Sequence, residues 1–278
     1  ELIVFKSLEE LKETPADKIE GKIVFINQHM NEKHIQTFKA YGGCYPVRGN
    51  GASEGAKKGA IAVIIRSLGL AIDDHPHTGS MSYEDGVKQI PAAAISTSDA
   101  ERIENLIDKN PQTKYEFILE MDCKKLEDKI SYNVIGEIPG NSKQDEIITI
   151  GGHLDSWDTG EGAHDDGAGI IHCLEAFRIL RSMNYIPKHT LRVVFFMNEE
   201  NGNMGGKTYA QWVKEKKEKH IAALESDRGG FAPRGFTCDG SEANLEWLKS
   251  QAQLFEDYDL HVFDKGYGGV DIGPLKKE

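Results

Sequence analysis

The chain is 278 residues long, 39% hydrophobic and 28% charged, with a formal net charge of -12. That length suits one large domain or two ordinary ones, each able to bury a core. An acidic surface repels polyanions, and no apolar run approaches the roughly 20 residues of a membrane helix, so neither nucleic acid nor membrane is an expected partner.

Elements follow in chain order. The opening Glu1-Leu2-Ile3-Val4 has no basic or long apolar stretch of a targeting segment, which decides nothing about compartment. Residues 21–26 predict a buried strand, 52–59 a helix rich in small residues, and 60–65 the next strand. Between 68 and 89 the chain fills with Gly, Asp, His, Ser and Pro, a long loop in which His75 and His77 read as exposed loop residues, with the lining of a cleft between domains as the other reading. A strand returns at 91–96, and Ser98-Asp99-Ala100-Glu101 begins a helix that reaches Ile107.

A second unit starts near Tyr132. It reads strand at 147–150, helix at 167–183, strand at 191–197, helix at 205–219 and strand at 221–224. Ile170, Cys173, Leu174, Phe177 and Leu180 fall on one helical face at 3.6 spacing. The expected fold class is α/β, a mostly parallel sheet flanked by helices, divided into domains at 1–130 and 131–278. Cys44, Cys123, Cys173 and Cys238 are too few and too scattered for a disulfide framework or a CxxC zinc site.

In open α/β sheets ligands bind beyond the carboxyl ends of the strands. Three predicted strands run into polar clusters there: Gly151-Gly152-His153-Leu154-Asp155-Ser156, Asn198-Glu199-Glu200, and Glu225-Ser226-Asp227. A fourth cluster, Gly162-Ala163-His164-Asp165-Asp166-Gly167, opens the first helix of the unit. One histidine among several carboxylates suits zinc or another divalent metal, and the surplus of carboxylates suits two ions sharing a bridging oxygen ligand. Without cations such a cluster would repel itself and drive its carboxyl pKa values upward.

These four ordered motifs resemble the M28 family of zinc peptidases. Gly21-Lys22-Ile23-Val24, Ile64-Ile65-Arg66-Ser67, Pro76-His77-Thr78-Gly79 and Asp85-Gly86-Val87 are similar to the family's protease-associated insert. Gly268-Gly269-Val270-Asp271-Ile272-Gly273-Pro274 extends the likeness to the far end. The resemblance implies hydrolysis of dipeptides or short peptides at a site of two zinc ions. His153 and Asp227 would hold one ion, Asp165 would bridge, Glu200 would help hold the second, and Glu199 would be the general base. Asp155 would orient the imidazole of His153. Asp166 reads as structural because it cannot share the direction of Asp165, and His164 and His172 read as ordinary surface or helix-face residues.

The family pattern also needs a fifth ligand, a histidine beyond the Gly268–Pro274 stretch. His189 and His220 precede their strands and His261 sits in a short apolar run, so none replaces it. The expectation is a fragment of a longer protein, with a peptidase core incomplete at its C-terminal side and holding one zinc or none. The resemblance further implies a small peptide as partner, a secreted or periplasmic location, and room for a homodimer. Two other readings stand beside it: an aminopeptidase of the same family, and an inactive binding scaffold with the peptidase fold.

Overall fold

A computed structural model describes residues 1–77 and 79–277; Thr78, within the Pro76–Gly79 motif, lies outside them. The chain forms two compact units, Glu1–Glu127 and Asp128–Glu278.

The first unit is a four-stranded, all-parallel sheet. Its strands β1 (Leu2–Phe5), β2 (Ile23–Ile26), β3 (Ala62–Arg66) and β4 (Ala92–Ile95) lie side by side in chain order. Side chains alternate across a strand, and both faces are buried. Val24, Ile26, Val63 and Ile65 pack with Leu11 of α1 (Leu8–Glu13) and Val47 of α2 (Thr37–Lys57); Ile23, Phe25 and Ile64 pack with Ala100 of α3 (Thr97–Lys109) on the other face. This two-sided burial explains the unbroken apolar runs in the sequence.

α2 starts well before the predicted residue 52; the stretch before that point does not read as helix because it carries Gly42, Gly43, Pro46, Gly49 and Gly51, residues that usually break helices. The glycines nearer its C-terminal end have a packing reason. A Cβ on Gly55 would run into the Val63 side chain, so its absence lets the helix lie close on β3. α3 begins one residue earlier than expected, capped by the Ser96 hydroxyl, which accepts from Asp99 N at 3.0 Å. In the 68–89 loop His77 Nδ1 rests 2.8 Å from the Leu68 carbonyl.

The second unit has a mixed sheet of β5 (Val134–Ile138), β6 (Lys143–His153), β7 (His189–Phe196) and β8 (Lys219–Glu225), ordered β5-β7-β6-β8. β5 runs antiparallel to β7; β6 is parallel to both β7 and β8. Val193 and Phe195 pack on one face with Cys173 and Phe177 of α4 (Gly167–Ser182), while Val194 and Phe196 pack on the other with Tyr209 and Val213 of α5 (Met204–Lys216). Leu174, expected on the inner face of α4, is 49% exposed; the buried arc is the narrower Gly169-Cys173-Phe177 line. β9 (Gly235–Cys238) and β10 (Val262–Lys265) pair in parallel beside α6 (Glu242–Ser250). Among the described residues no helix is long and apolar enough to cross a membrane.

Candidate metal centre

β6 ends at His153, β7 at Phe196 and β8 at Glu225, and because these strands are parallel their ends share one edge. The polar residues that follow each strand are therefore delivered to the same rim.

His153 is 1% exposed, and its ring is fixed at both nitrogens. Nδ1 lies 2.8 Å from the Asp155 carbonyl, which can only accept, so Nδ1 carries the proton and Nε2 is left to ligate. Nε2 stands 3.0 Å from Asp165 Oδ1 and 3.3 Å from Asp227 Oδ1. The ligand atoms of His153, Asp165 and Glu200 lie within 4.8 Å of one another, and those of His153, Asp166 and Asp227 do the same.

Asp166 has other duties within that second group. It caps α4, with Oδ1 accepting from Gly169 N at 3.0 Å and Oδ2 accepting from His153 N at 2.9 Å. A side chain at position 152 would strike this carboxylate, which is why a glycine precedes His153. The residues free to turn toward ions are thus His153, Asp165, Glu200 and Asp227.

Asp155 differs from expectation. Its backbone carbonyl, not its carboxylate, orients the imidazole; Oδ1 is 3.8 Å from Nδ1. The carboxylate accepts instead from the consecutive amides of Glu199 at 2.9 Å and Glu200 at 3.2 Å. Strand geometry ends at His153, so nothing in the strand aims the Asp155 side chain, and its two-oxygen acceptor settles on the unpaired N–H groups just after β7.

Electrostatics shows what the cluster lacks. Burial, reinforced by Asp227 and Glu200 and opposed by His153, pushes the Glu199 carboxyl up to about 7. Burial and then Asp165 do the same to Glu200, also to about 7. For His153 burial favours the neutral ring, but hydrogen bonds to Asp165 and Asp227 overcome it and raise the pKa to about 12. The same hydrogen bond holds Asp165 below its usual value against the effect of burial. Without metal, protons supply the missing positive charge. One imidazole and a carboxylate excess that must borrow protons form a donor set that fits divalent cations.

Two further residues belong to this rim, and sequence reasoning gave them no role. The Glu225 carboxylate, at the end of β8, accepts from Val270 N at 2.8 Å and from Asp271 N and Ile272 N at 2.9 Å, tying the 268–273 loop to the sheet edge. Asp271 is 0% exposed, and neither of its carboxylate oxygens has a hydrogen-bond partner among the described residues. The only signal for either was their place in the quoted motifs. His189 and His220 sit at the starts of β7 and β8, where His189 Nδ1 is 3.1 Å from Glu146 and His220 Nδ1 is 2.9 Å from the Thr149 hydroxyl. His164 and His172 brace the segment after β8, His164 accepting from Gly230 N and His172 lying 3.0 Å from the Ser226 hydroxyl.

Residues 133–271 match the family model described as Peptidase family M28. The chain belongs to family M28. Carboxypeptidase Q of Homo sapiens is 37% identical over 272 residues, covering 98% of this chain and 55% of that protein. Carboxypeptidase Q of Mus musculus is 35% identical over 271 residues, 96% of this chain and 55% of the other. The chain spans about half the length of the curated relatives it matches. A solved structure of a Peptidase M28 precursor from Shewanella amazonensis SB2B superimposes with a TM-score of 0.88 at 36% identity, over 99% of this chain and 62% of that one. A zinc aminopeptidase from Bacillus subtilis, at 22% identity and a TM-score of 0.60 over 99% of this chain and 61% of that one, shares the fold. The overlapping ligand groups around His153 lie within the M28-matched residues and are consistent with a two-zinc site.

Proposed function

We propose that this M28 chain carries the catalytic rim of a two-zinc exopeptidase that hydrolyses dipeptides or other short peptides. The observation that carries the reading is the convergence of His153, Asp165, Glu200 and Asp227 from four separated motifs. His153 and Asp227 would hold one ion, Asp165 would lie between the two, and Glu200 would serve the second.

Bound zinc would supply Lewis acidity, polarising the scissile carbonyl and making water a usable nucleophile near neutral pH. Glu199 takes a proton from the attacking water and passes it to the leaving amine, a task suited to a carboxylate in a largely desolvated position. Asp155 fixes the backbone of Glu199 and Glu200 together, so base and ligand keep a constant spacing. Asp166 fixes the backbone of His153.

The test has two parts. Crystals soaked in zinc and measured at the zinc edge count the ions and place them, with the first expected at His153 and Asp227. Protein supplied with two equivalents of zinc is then assayed for release of free amino acids from unblocked dipeptides. Ions bound only elsewhere would end the peptidase reading in favour of a scaffold, as would a protein that binds both ions and releases nothing.

A further inference from the structure

A cavity of about 300 Å³ opens beside His153, and apart from His153 and Asp155 its lining has no part in the metal rim. Its walls include Leu154, Asp155 and Glu161 from the loop after β6, and Ile170 and Ile171 from the first turns of α4. The volume is at the small end for ligand pockets, room for one side chain rather than a whole peptide. Leu154 is 39% exposed and Ile171 59% exposed, so this wall presents aliphatic surface to solvent. Glu161 is exposed and has no cationic partner among the described residues. The loop that forms this wall carries charge of one sign. No Lys or Arg occurs between Lys143 and Arg178, whereas Asp155, Asp158 and Glu161 fall within one loop. Asp155 adds negative charge but is already committed to two backbone amides, which leaves Glu161 as the acid able to meet a ligand.

Aliphatic wall and free carboxylate together match a side chain that is apolar along its stem and cationic at its tip. We propose that this cavity is a substrate subsite for a lysine or arginine side chain next to the scissile bond, its stem on Leu154, Ile170 and Ile171 and its head at Glu161. The proposal rests on the peptidase reading for its chemistry, and it names a specificity that reading leaves open. An acidic side chain whose head reached Glu161 would meet a carboxylate there, so acidic substrates are disfavoured at this subsite.

The experiment compares kcat/KM for zinc-loaded protein on matched dipeptides in which Lys, Leu or Glu occupies each of the two positions in turn, with Ala as the other residue. At one position Lys is expected to exceed Leu about threefold to tenfold, as an ion pair at an open site allows, and to exceed Glu by more. Glu161→Gln should bring the Lys-to-Leu ratio toward one, and Glu161→Lys should favour Glu over Lys. These ratios are internal to each variant, so a general loss of activity does not mimic them. Ratios unchanged in both variants overturn the subsite, as does equal handling of all three side chains, which would mean recognition of the free amino group alone. A second arm reads binding without turnover: in metal-free protein a lysine dipeptide should shift the methyl signals of Ile170 and Ile171, and Glu161→Lys should abolish the shift. Absence of hydrolysis together with a charge-dependent methyl shift would sink the peptidase reading and keep the subsite. Absence of the shift would sink the subsite whatever the catalytic result.

Discussion

Asp271→Asn is expected to stabilise the metal-free protein, by an amount that grows with pH. Asp271 is fully buried, with no partner for either oxygen among the described residues. Burial, followed by the negative charges of Glu225 and Glu199, pushes its carboxyl from an ordinary 3.8 to about 8. Between those two values the unfolded chain has released a proton that the folded chain still holds. Unfolding therefore gains as pH rises through this window, and the wild-type loses stability from about pH 4 to about pH 8, with no further change from this group above or below. At about 1.4 kcal/mol per pKa unit, the penalty approaches roughly 4 kcal/mol at pH 7 as an upper bound. Structural relaxation reduces it, and the introduced amide brings a buried N–H pair of its own, so a gain of about 1–3 kcal/mol is expected. Urea denaturation in EDTA at several values between about pH 4.5 and about pH 8.5 measures it, since the other carboxylates titrate in both proteins and cancel in the difference. A difference that stays constant with pH, or a variant less stable throughout, would show that Asp271 is ionised and satisfied in the fold.

Glu199→Gln should retain zinc and lose about 10²–10⁴ in dipeptide hydrolysis, measured by amino-acid release against bound metal; a near-normal rate would remove it as general base. Asp227→Ala should weaken the ion shared with His153, seen as a lower zinc-to-protein ratio after dialysis, and an unchanged ratio contradicts that assignment. Asp155→Ala deprives two neighbouring amides of their acceptor and should cost about 2–4 kcal/mol in thermal or urea unfolding, with turnover falling as the two glutamates loosen. Gly152→Ala places a methyl group against the Asp166 carboxylate and should destabilise the second unit by about 3 kcal/mol or more; a silent substitution would mean that the α4 cap can shift without cost.

The legible parts of this fold are those in which one physical signal dominates. Two-sided burial wrote β2 and β3 as unbroken apolar runs, and the 3.6 spacing of Cys173 and Phe177 marked α4. Three of the candidate ligands come together because they lie at or just after the ends of parallel strands, His153 at β6, Glu200 after β7 and Asp227 after β8, while Asp165 arrives from the turn that opens α4. β1 escaped because four residues carry too little pattern, and the first half of α2 because Gly42, Gly43 and Pro46 signal a loop. Asp155 meets the imidazole as expected but through its carbonyl, a choice of atom set by loop dihedrals, which no spacing encodes.

The acidic rim also shows why so many carboxylates occur together. Three of them accept from backbone: Asp155 holds Glu199 and Glu200, Asp166 holds His153 and the start of α4, and Glu225 holds the 268–273 loop. Each stands one or two residues from a candidate ligand in sequence: Asp155 from His153, Asp166 from Asp165, Glu225 from Asp227. Side chains that must meet a pair of ions need backbones already held in place, because loop residues ordered only by the metal would charge their conformational entropy against its affinity. A carboxylate suits that holding role where strands end, since each strand leaves N–H groups unpaired there and a two-oxygen acceptor can take two or three at once. The excess of acid that seems to overload a two-ion site therefore divides into groups facing the ions and groups facing the chain. Only the first division should respond when zinc is removed.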